Sequence, residues 1–337
     1  MGTPALLYPA GHLTDPFQRT DVVYTGVRTN PGDNQGGSVP RTIVITGCST
    51  GFGHSAALRF ARRGDRVYAT MRGVDGKNHE KAGALRGMAA AEDLDLRVLE
   101  MDVTANASVN AAAQTVLSES GAPDVVINNA GQMYVGIAEA YTTEEVARQL
   151  DVNVLGIHRV SRAFLPAMRE RGSGLFINVS SVAGRFGSPF FAVYNASKWA
   201  VEGYSLGCRG ELASSGVDVV VVEPGPFSTE LFPQAPAPAD VDGIAAGYPA
   251  GLHEAFEGMG AAFEEMFAGD EVDTDPETVV DSFEDLADMK PGTRPFRTVV
   301  GFDFGVVRPM NEFAAEKQAE LMTAMGMAEV TVLRTGE

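Results

Sequence analysis

The chain has 337 residues, of which 45% are apolar, so a sizeable core can form and disorder is excluded as the default interpretation. The formal net charge of −18 argues against sequence-independent nucleic-acid binding, because such binding needs lysine and arginine to neutralise phosphates. The length fits one large α/β domain with additions, or two small domains.

The sequence predicts neither a membrane span nor a leader peptide. The longest aliphatic run, at 219–222, is far shorter than the ~20 residues of a membrane helix, and the first ten residues lack a basic region followed by a long apolar stretch. Cys48 and Cys208, the two cysteines, form neither a disulfide framework nor a zinc-ligand spacing. A reducing, cytoplasmic setting is the simple interpretation. The five histidines show no ligand spacing, so we expect no metal.

Residues 1–38 are rich in Pro, Gly, Thr and Asn with little periodicity, which predicts a flexible N-terminal extension. From residue 41 onward, short aliphatic runs alternate with helix-like stretches. The predicted strands are 42–46, 66–70, 96–101, 124–128, 175–179 and 217–223. The predicted helices between them are 55–63, 105–118, 143–171 and 192–215. This alternation predicts an α/β fold with a doubly wound parallel sheet in a three-layer αβα arrangement.

The pattern loosens after residue 223. Residues 226–252 are rich in Pro, Ala and Gly, and residues 254–288 contain thirteen acidic residues and no lysine or arginine. Short helices are predicted at 280–290 and 314–325. We predict one catalytic domain over 39–337, in which 226–290 is an acidic lid and tail insertion, since such insertions often cover an active site.

A glycine-rich turn, T-G-C-S-T-G-F-G at 46–53, follows the first predicted strand. Glycines let a backbone approach a pyrophosphate closely, and the N-terminus of the next helix offers free N–H groups. The alternative is a tight structural turn, since the spacing is not the G-x-G-x-x-G of many dinucleotide folds. Cys48 is expected to be an apolar filler. The cofactor-binding residues expected here are Gly47, Ser49, Thr50, Gly51, Phe52 and Gly53.

The end of the second predicted strand distinguishes two nicotinamide cofactors. An acidic residue there favours NAD, whereas an arginine favours the 2′-phosphate of NADP. Residues 68–73 read Y-A-T-M-R-G, with no acid before Asp75. We therefore expect Arg72 to bind the phosphate, with NADP(H) preferred and NAD(H) as the alternative cofactor. The other interpretation of Arg72 is a solvated surface residue.

Polar residues also follow the third and fourth predicted strands, whose carboxyl ends form the ligand-binding edge of such sheets. Asp102 could accept a hydrogen bond from an adenine amino group, or could form an Asx turn before the next helix. Small and amide residues at 128–131 let the chain pass close to an adenosine ribose. The cofactor contacts expected here are Asp102, Val103, Asn129, Ala130 and Gly131.

Tyr194 and Lys198, four residues apart on a predicted helix, share one face. An ammonium nearby and an oxidised nicotinamide both favour the phenolate, so Tyr194 is expected to exchange a proton with a carbonyl or alcohol oxygen. Ser181, at the end of the fifth strand, is expected to hydrogen-bond that oxygen; Ser180 competes, but adjacent strand residues point to opposite sides. Asn153 lies mid-helix, where asparagine is a poor helix former. It is expected to hold a proton-relay water, with a helix-bending role as the alternative.

These motifs, in this order and spacing, resemble the short-chain dehydrogenase/reductase family over roughly 41–231. The glycine turn and V-Y-A-T-M-R-G look like its NADP-linked hydroxysteroid and retinol dehydrogenase branch. The resemblance implies a Rossmann-type fold and a nicotinamide ribose contact for Lys198. It implies a catalytic tetrad of Asn153, Ser181, Tyr194 and Lys198. It also implies cofactor contacts after the sixth strand, with Thr229 at the carboxamide; the residues expected there are Pro224, Gly225, Phe227 and Thr229.

The sequence therefore predicts an NADP(H)-dependent oxidoreductase that interconverts a secondary alcohol and a ketone or aldehyde. Two other classes stay open: a non-redox enzyme on the same fold, such as an epimerase or dehydratase, and a non-catalytic NADP-binding sensor. Helices 143–171 and 192–215 predict a homodimer or homotetramer.

The predicted substrate is lipophilic and ring-containing, because aromatic residues lie close in sequence to the catalytic positions; ordinary packing is the alternative. The residues of this predicted aromatic wall are Phe186, Pro189, Phe190, Phe191 and Phe227. Further lining is expected from Gln132, Met133 and Arg185.

Overall fold

The computed structural model of this protein describes residues 40–269 and 272–335, except the side chains of residues 241 and 242. The predicted N-terminal extension at 1–38 lies outside the described residues. Within them, seven parallel strands form one sheet with helices on both faces. This confirms the predicted Rossmann-type, doubly wound αβα architecture.

The strands are aliphatic and mostly buried, as a sheet covered on both faces requires. They are β1 (Thr42–Thr46), β2 (Arg66–Met71), β3 (Leu96–Glu100), β4 (Val125–Asn128), β5 (Gly174–Val179), β6 (Val217–Pro224) and β7 (Arg297–Val300). The sheet order is β3-β2-β1-β4-β5-β6-β7.

The helices are α1 (Gly51–Arg62), α2 (His79–Ala91), α3 (Asn106–Ser120), α4 (Thr143–Leu150), α5 (Gly156–Arg171), α6 (Ala192–Leu212), α7 (Val241–Ile244), α8 (Ala250–Ala268), α9 (Glu277–Asp288) and α10 (Val307–Ala324). Helices α1, α2 and α9 pack on one face of the sheet, and α3, α5 and α6 pack on the other. Successive strand residues alternate between the two cores: Ile43 and Ile45 face the first, and Val44 faces the second.

The order of the strands reverses at β1, which lies between β2 and β4. The chain therefore leaves β1 and β4 on opposite sides, and a crevice opens between their carboxyl ends. The two turns approach closely there, because a Cβ added to Gly47 would lie 2.8 Å from the Cα of Ala130. This crevice positions the site.

The C-terminal third contributes more to the core than its sequence indicates. Strand β7, which the pattern did not predict, pairs with β6. Helix α9 begins three residues before the predicted helix at 280, and its Val279, Val280 and Phe283 are fully buried. The final part of the predicted 226–290 insertion is therefore core, whereas α8 lies over the crevice.

Many acidic residues of α9 are explained by ion pairs with α1. Arg59 binds Asp281 at 2.6 Å and also pairs with Glu284, while Arg63 binds Asp288 at 2.6 Å. The acidic tail thus meets the basic side of α1 instead of forming one solvated run.

Candidate active site

A cavity of about 640 Å³ lies at the carboxyl edge of the sheet. The turns after β1 to β6 supply most of its lining, and α8 supplies much of the rest. Of the residues that the sequence predicted for the catalytic and cofactor site, Gly53 and Asn153 do not line it; the others do.

The turn after β1 presents its backbone to the cavity. The lining residues of this turn are Gly47, Ser49, Thr50, Gly51 and Phe52. Gly47 and Gly51 have φ angles of 74° and 57°, a left-handed conformation that favours glycine. Among the described atoms, a Cβ at Gly51 would meet nothing within 4 Å, so this backbone is open. Helix α1 then begins with G-F-G-H, so no acid opposes an anion at its N-terminus.

Gly53 has a packing role. A Cβ there would lie 2.5 Å from Asn129 Nδ2 and 2.7 Å from Gly47 O. Asn129 Nδ2 donates to Thr46 O at 2.9 Å and to Gly47 O at 3.2 Å. Thr46 Oγ1 accepts from the backbone N–H groups of Asn129 and Ala130 at 3.1 and 3.0 Å. Gly53 and Asn129 therefore hold the turns after β1 and β4 together.

Three cationic side chains line the cavity beside β2: Arg72, Lys77 and Lys81. Partial burial and the charge of Arg72 lower the pKa of Lys77, so these two charges lie near each other. Lys81 Nζ lies 3.3 Å from Glu230 Oε2 across the cavity mouth. Neither lysine was predicted from the sequence, although a signal existed: the chain has five lysines, and these two lie four residues apart shortly after Arg72.

Asp102 forms an Asx turn, which was the alternative to adenine recognition. Its Oδ1 accepts from Thr104 N at 2.9 Å and from Thr104 Oγ1 at 2.7 Å. Burial opposes ionisation, but these hydrogen bonds and the charge of Arg72 lower the pKa of Asp102. Asp102 and Val103 also line the cavity, and the adenine contact stays a prediction.

Tyr194 is buried on α6 and lines the cavity beside Ser181. Ser181 Oγ accepts from Ala183 N at 3.1 Å and donates to Pro224 O at 3.3 Å. Burial raises the pKa of Tyr194 to about 12, and the bond with Ser181 lowers it less. Within the protein itself, desolvation of the phenolate outweighs the hydrogen bond. That the ammonium and an oxidised nicotinamide together favour the phenolate stays a prediction.

Lys198 lies on the same face of α6. Its Nζ donates to Val179 O at 2.9 Å and lies 5.6 Å from the centre of the Tyr194 ring. Burial lowers the pKa of Lys198 to about 8, and the charge of Glu202 raises it. The ammonium of Lys198 thus lies over the face of the Tyr194 ring, and an effect of its charge on the phenol stays a prediction.

Asn153 lies in a π-helical segment, Asp151–Leu155, that joins α4 and α5. Its amide bonds both Gln132 N and Gln132 O at 2.9 Å, and its Nδ2 donates to Ser197 Oγ at 3.0 Å. Ser197 Oγ donates in turn to Tyr194 O at 2.7 Å. Asn153 thus ties the turn after β4 to the Tyr194 helix, and the mid-helix irregularity is a π bulge of the kind that often marks functional sites.

The segment after β6 closes one side of the cavity. Its lining residues include Pro224, Gly225, Phe227 and Thr229. A Cβ at Gly225 would lie 2.2 Å from Phe302 O, so this close approach requires glycine. The rings of Phe227 and Phe52 meet edge to face, 5.8 Å apart. The segment therefore packs directly on the glycine turn.

Helix α8 carries a row of apolar side chains into the cavity: Met259, Phe263 and Phe267, each four residues apart. The ring of Phe263 lies 5.7 Å from that of Phe232 and 6.3 Å from that of Phe191. The acidic residues of this helix, at 254, 257, 264 and 265, are exposed. Helix α8, whose sequence is acidic, is therefore an amphipathic helix with an aromatic face toward the cavity.

Only some of the residues predicted to line the substrate pocket lie in the cavity wall. Those that line it are Gln132, Met133, Phe186, Phe191 and Phe227. Pro189 and Phe190 do not, and Arg185 Nε instead donates to Asn311 Oδ1 at 2.6 Å. Phe304, from the loop after β7, does line the cavity, although its local sequence carries no signal of this.

Cys48 is a packing residue, as expected. Its Sγ donates to Ile45 O at 3.3 Å, and burial raises the pKa of the thiol to about 12. Over residues 40–269 and 272–335, no three His, Cys, Asp or Glu side chains cluster so as to hold a metal ion. Within the same ranges, no helix combines the length and apolar character that a membrane crossing requires.

Residues 41–239 match the short chain dehydrogenase family. Because this is more than half of the chain, the protein belongs to the short-chain dehydrogenase/reductase family.

Individual relatives agree with this assignment. The chain is 40% identical to a 3-ketodihydrosphingosine reductase of Bacteroides thetaiotaomicron, over 56% of this chain and 65% of that protein. It is 42% identical to 17-beta-hydroxysteroid dehydrogenase type 1 of Homo sapiens, over 57% of this chain and 58% of that protein. It thus spans less than two thirds of either relative. A short-chain dehydrogenase from Streptomyces avermitilis superposes with a TM-score of 0.64 at 28% identity, covering 86% of this chain and 98% of that one.

Proposed function

We propose that this protein is an NADP(H)-dependent oxidoreductase that interconverts a secondary alcohol and a ketone or aldehyde, with Tyr194 exchanging the proton. The observation that carries the proposal is the meeting of Tyr194, Ser181 and Lys198 on one cavity at the switch point of the sheet. We further propose a lipophilic, ring-containing substrate.

Two features of the cavity support a dinucleotide cofactor with a 2′-phosphate. The open backbone at Gly47 and Gly51, at the start of α1, suits the pyrophosphate. Arg72, Lys77 and Lys81 supply positive charge at the end of the cavity beside β2, where the extra phosphate of NADP is expected. A bound nicotinamide supplies or accepts the hydride.

Tyr194 serves as the proton donor to a carbonyl oxygen. Burial raises its pKa to about 12, so the phenol is protonated at neutral pH, as donation to a carbonyl oxygen requires. The hydroxyl of Ser181, which donates to Pro224 O at 3.3 Å, would turn that proton to the reacting oxygen, where it would assist the phenol. General acid help of this kind contributes roughly 10²–10⁴-fold to the rate.

Lys198 and Asn153 support that proton transfer. The ammonium of Lys198 is expected to hold the nicotinamide ribose and to stabilise the phenolate left by proton donation. Asn153 acts by position: its bonds to Gln132 and Ser197 fix the wall on either side of Tyr194. A water relay through this π bulge stays part of the proposal.

The substrate class follows from the inner face of α8. Met259, Phe263 and Phe267 meet Phe191 and Phe232 in a wall that carries no charge to pair with a carboxylate or phosphate on a substrate. Burying an aromatic or aliphatic group against such a wall contributes about 25 cal/mol per Å². The names of the two relatives, 3-ketodihydrosphingosine reductase and 17-beta-hydroxysteroid dehydrogenase type 1, agree with lipophilic alcohol and ketone chemistry.

NADPH absorbance, followed against a panel of steroid ketones, aromatic ketones, retinoid aldehydes and small keto acids, tests the proposal. Tyr194→Phe should abolish turnover while NADPH still binds. Tyr204→Phe is the matched control: it lies on the same helix but does not line the cavity, so activity should persist. Strong activity in Tyr194→Phe would overturn the mechanism.

The same panel separates the rival classes. A sensor would bind NADPH without oxidising it under any condition. An epimerase or dehydratase would convert its substrate with no net loss of NADPH absorbance. Preference for small keto acids over the lipophilic ketones would overturn the proposed substrate class.

We also propose a homodimer or homotetramer formed through α5 and α6. Leu155 and Trp199, at the start of α5 and on α6, are each 47% exposed. Light scattering at micromolar concentration measures the assembly. The division into an extension at 1–38 and a domain at 39–337 stays a prediction, as does a cytoplasmic location, which the two free thiols of Cys48 and Cys208 support.

A further inference from the structure

A buried ionic cluster lies beside Lys198, outside the cavity wall. It consists of Glu202, Glu223, Arg297, Arg185 and Asn311, and we refer to it as the Glu202 cluster. Both carboxylates are almost fully buried, at 3% and 0% exposure. Buried charges are costly unless they are paired, so the cluster needs a reason beyond stability.

Glu202 follows Lys198 by one turn of α6, on the same side of the helix. It also packs against the turn that carries Ser181: a Cβ at Gly184 would lie 3.1 Å from Glu202 Cγ and 3.2 Å from Lys198 O. Glu202 Oε2 accepts from Arg297 Nε at 2.7 Å, and its Oε1 has no hydrogen-bond partner among the described residues. Glu202 Oε1 can therefore influence neighbouring groups only through its electrostatic field.

The charged groups that face this region come from three other elements. Arg297, on β7, lies 3.5 Å from Glu223 Oε1, at the end of β6. Arg185, after the Ser181 turn, lies 3.8 Å from the same oxygen. Asn311, on α10, donates to Glu223 Oε2 and accepts from Arg185 Nε. The second carboxylate thus has several partners of its own.

Two members of the cluster, Arg297 and Asn311, lie beyond the segment that matches the family, which ends at 239. The C-terminal third therefore does more than cover the cavity. It supplies the counter-charge and the amide that make two buried carboxyl groups tolerable beside the active-site helix. Of these two, Glu223 keeps its proton at neutral pH, because burial and the charge of Glu202 raise its pKa to about 8.

We infer that Glu202 is a positioning residue for the reaction: its carboxylate, anchored by Arg297, keeps Lys198 protonated and so sets the upper pH limit at which the Tyr194–Lys198 pair reduces a ketone. The inference rests on the proposed function. It assigns Glu202 no contact with substrate or cofactor.

Two opposing effects set the pKa of Lys198. Burial lowers the pKa of Lys198, the charge of Glu202 opposes that effect, and the two together leave the pKa at about 8. Nζ makes one described hydrogen bond, to Val179 O, a neutral acceptor. Without Glu202, no anionic charge of the described residues would oppose the effect of desolvation on the pKa of Lys198, and its ammonium would lose a proton nearer to neutral pH.

Ketone reduction by Glu202→Gln, followed as kcat/KM against pH, tests the inference. The reductive form of the pair carries both protons, and removing a nearby negative charge makes its first proton loss easier, whichever residue loses it. The alkaline limb should therefore move to lower pH by about one unit, which is about a tenfold loss of kcat/KM at a fixed alkaline pH. Glu202→Asp, which keeps the charge, should restore the limb.

Asp218→Asn is the matched control. Asp218 is a buried carboxylate at the opposite end of β6, 3.2 Å from Arg209 Nε. The substitution should lower the melting temperature without moving the alkaline limb. If it moves the limb as Glu202→Gln does, a general loss of packing explains the shift and the inference is overturned.

An alkaline limb that stays in place in Glu202→Gln, or moves upward, also overturns the inference. Should that variant fail to fold, Glu202→Gln combined with Arg297→Gln leaves no unpaired guanidinium. A smaller shift in the same direction is expected, because loss of the positive charge of Arg297 offsets part of the loss of Glu202. An alkaline limb that stays in place in this double variant would also overturn the inference. Failure of the proposed function is separate: Tyr194→Phe would then keep its activity.

Discussion

Replacing Arg72 with alanine should weaken the preference for NADPH over NADH without disturbing the fold. Arg72 directly follows β2, is exposed, and shares one end of the cavity with Lys77. In the proposed complex its guanidinium binds the 2′-phosphate, a group that NAD lacks. The substitution therefore removes a favourable interaction with NADPH and none with NADH.

The magnitude follows from the exposure of the site. A hydrogen bond to a charged partner contributes about 1.5–3 kcal/mol. The lower half of that range is expected here, because Arg72 is exposed and solvent screens it, and because Asp102, whose pKa it lowers, lies near it as an opposing charge. About 1.5–2 kcal/mol corresponds to a loss of NADPH affinity of roughly 10–30-fold.

Fluorescence titration with NADPH and NADH, at low and at high salt, measures this loss. Arg86→Ala is the matched control, since Arg86 is an exposed arginine on α2 that does not line the cavity. The NADPH effect should shrink as salt rises, because the pair is screened over about 8 Å at physiological ionic strength. An unchanged ratio of the two affinities in Arg72→Ala would refute the reasoning.

Two further predictions concern the buried acid and the lid. Burial, together with Glu202, raises the pKa of Glu223 to about 8. The folded protein therefore holds a proton that the unfolded chain releases above about 4.3, so this group makes stability fall as pH rises from there through about 8. Glu223→Gln should flatten that decline in melting temperature; an identical decline in the variant would contradict the assignment. Separately, Phe263→Ala should raise KM for a lipophilic ketone by roughly 10–100-fold, from the ~1.5–3 kcal/mol of a buried aromatic side chain, with little change in NADPH affinity. Phe313→Ala, on a side chain that is 64% exposed on α10, should leave KM unchanged.

The sequence determined those features that short-range chemistry encodes. The glycine turn at 46–53 needs left-handed backbone at Gly47 and Gly51, and that need is visible in the residue types. The alternation of aliphatic runs with helices gave the first six strands, and i, i+4 spacing placed Tyr194 and Lys198 on one face of α6. Even the irregularity at Asn153 was detectable, because asparagine is a poor residue for mid-helix.

Only the tertiary structure decided what depends on burial and on distant neighbours. The sign of the Tyr194 pKa shift is set by how much water the surrounding elements exclude, which spacing along α6 does not contain. The acidic tail divided into a core helix paired to α1 and a lid with an aromatic inner face because α1 and the cavity edge offered those surfaces. The Glu202 cluster joins residues from α6, β6, β7 and α10, and no local pattern brings positions 202 and 297 together.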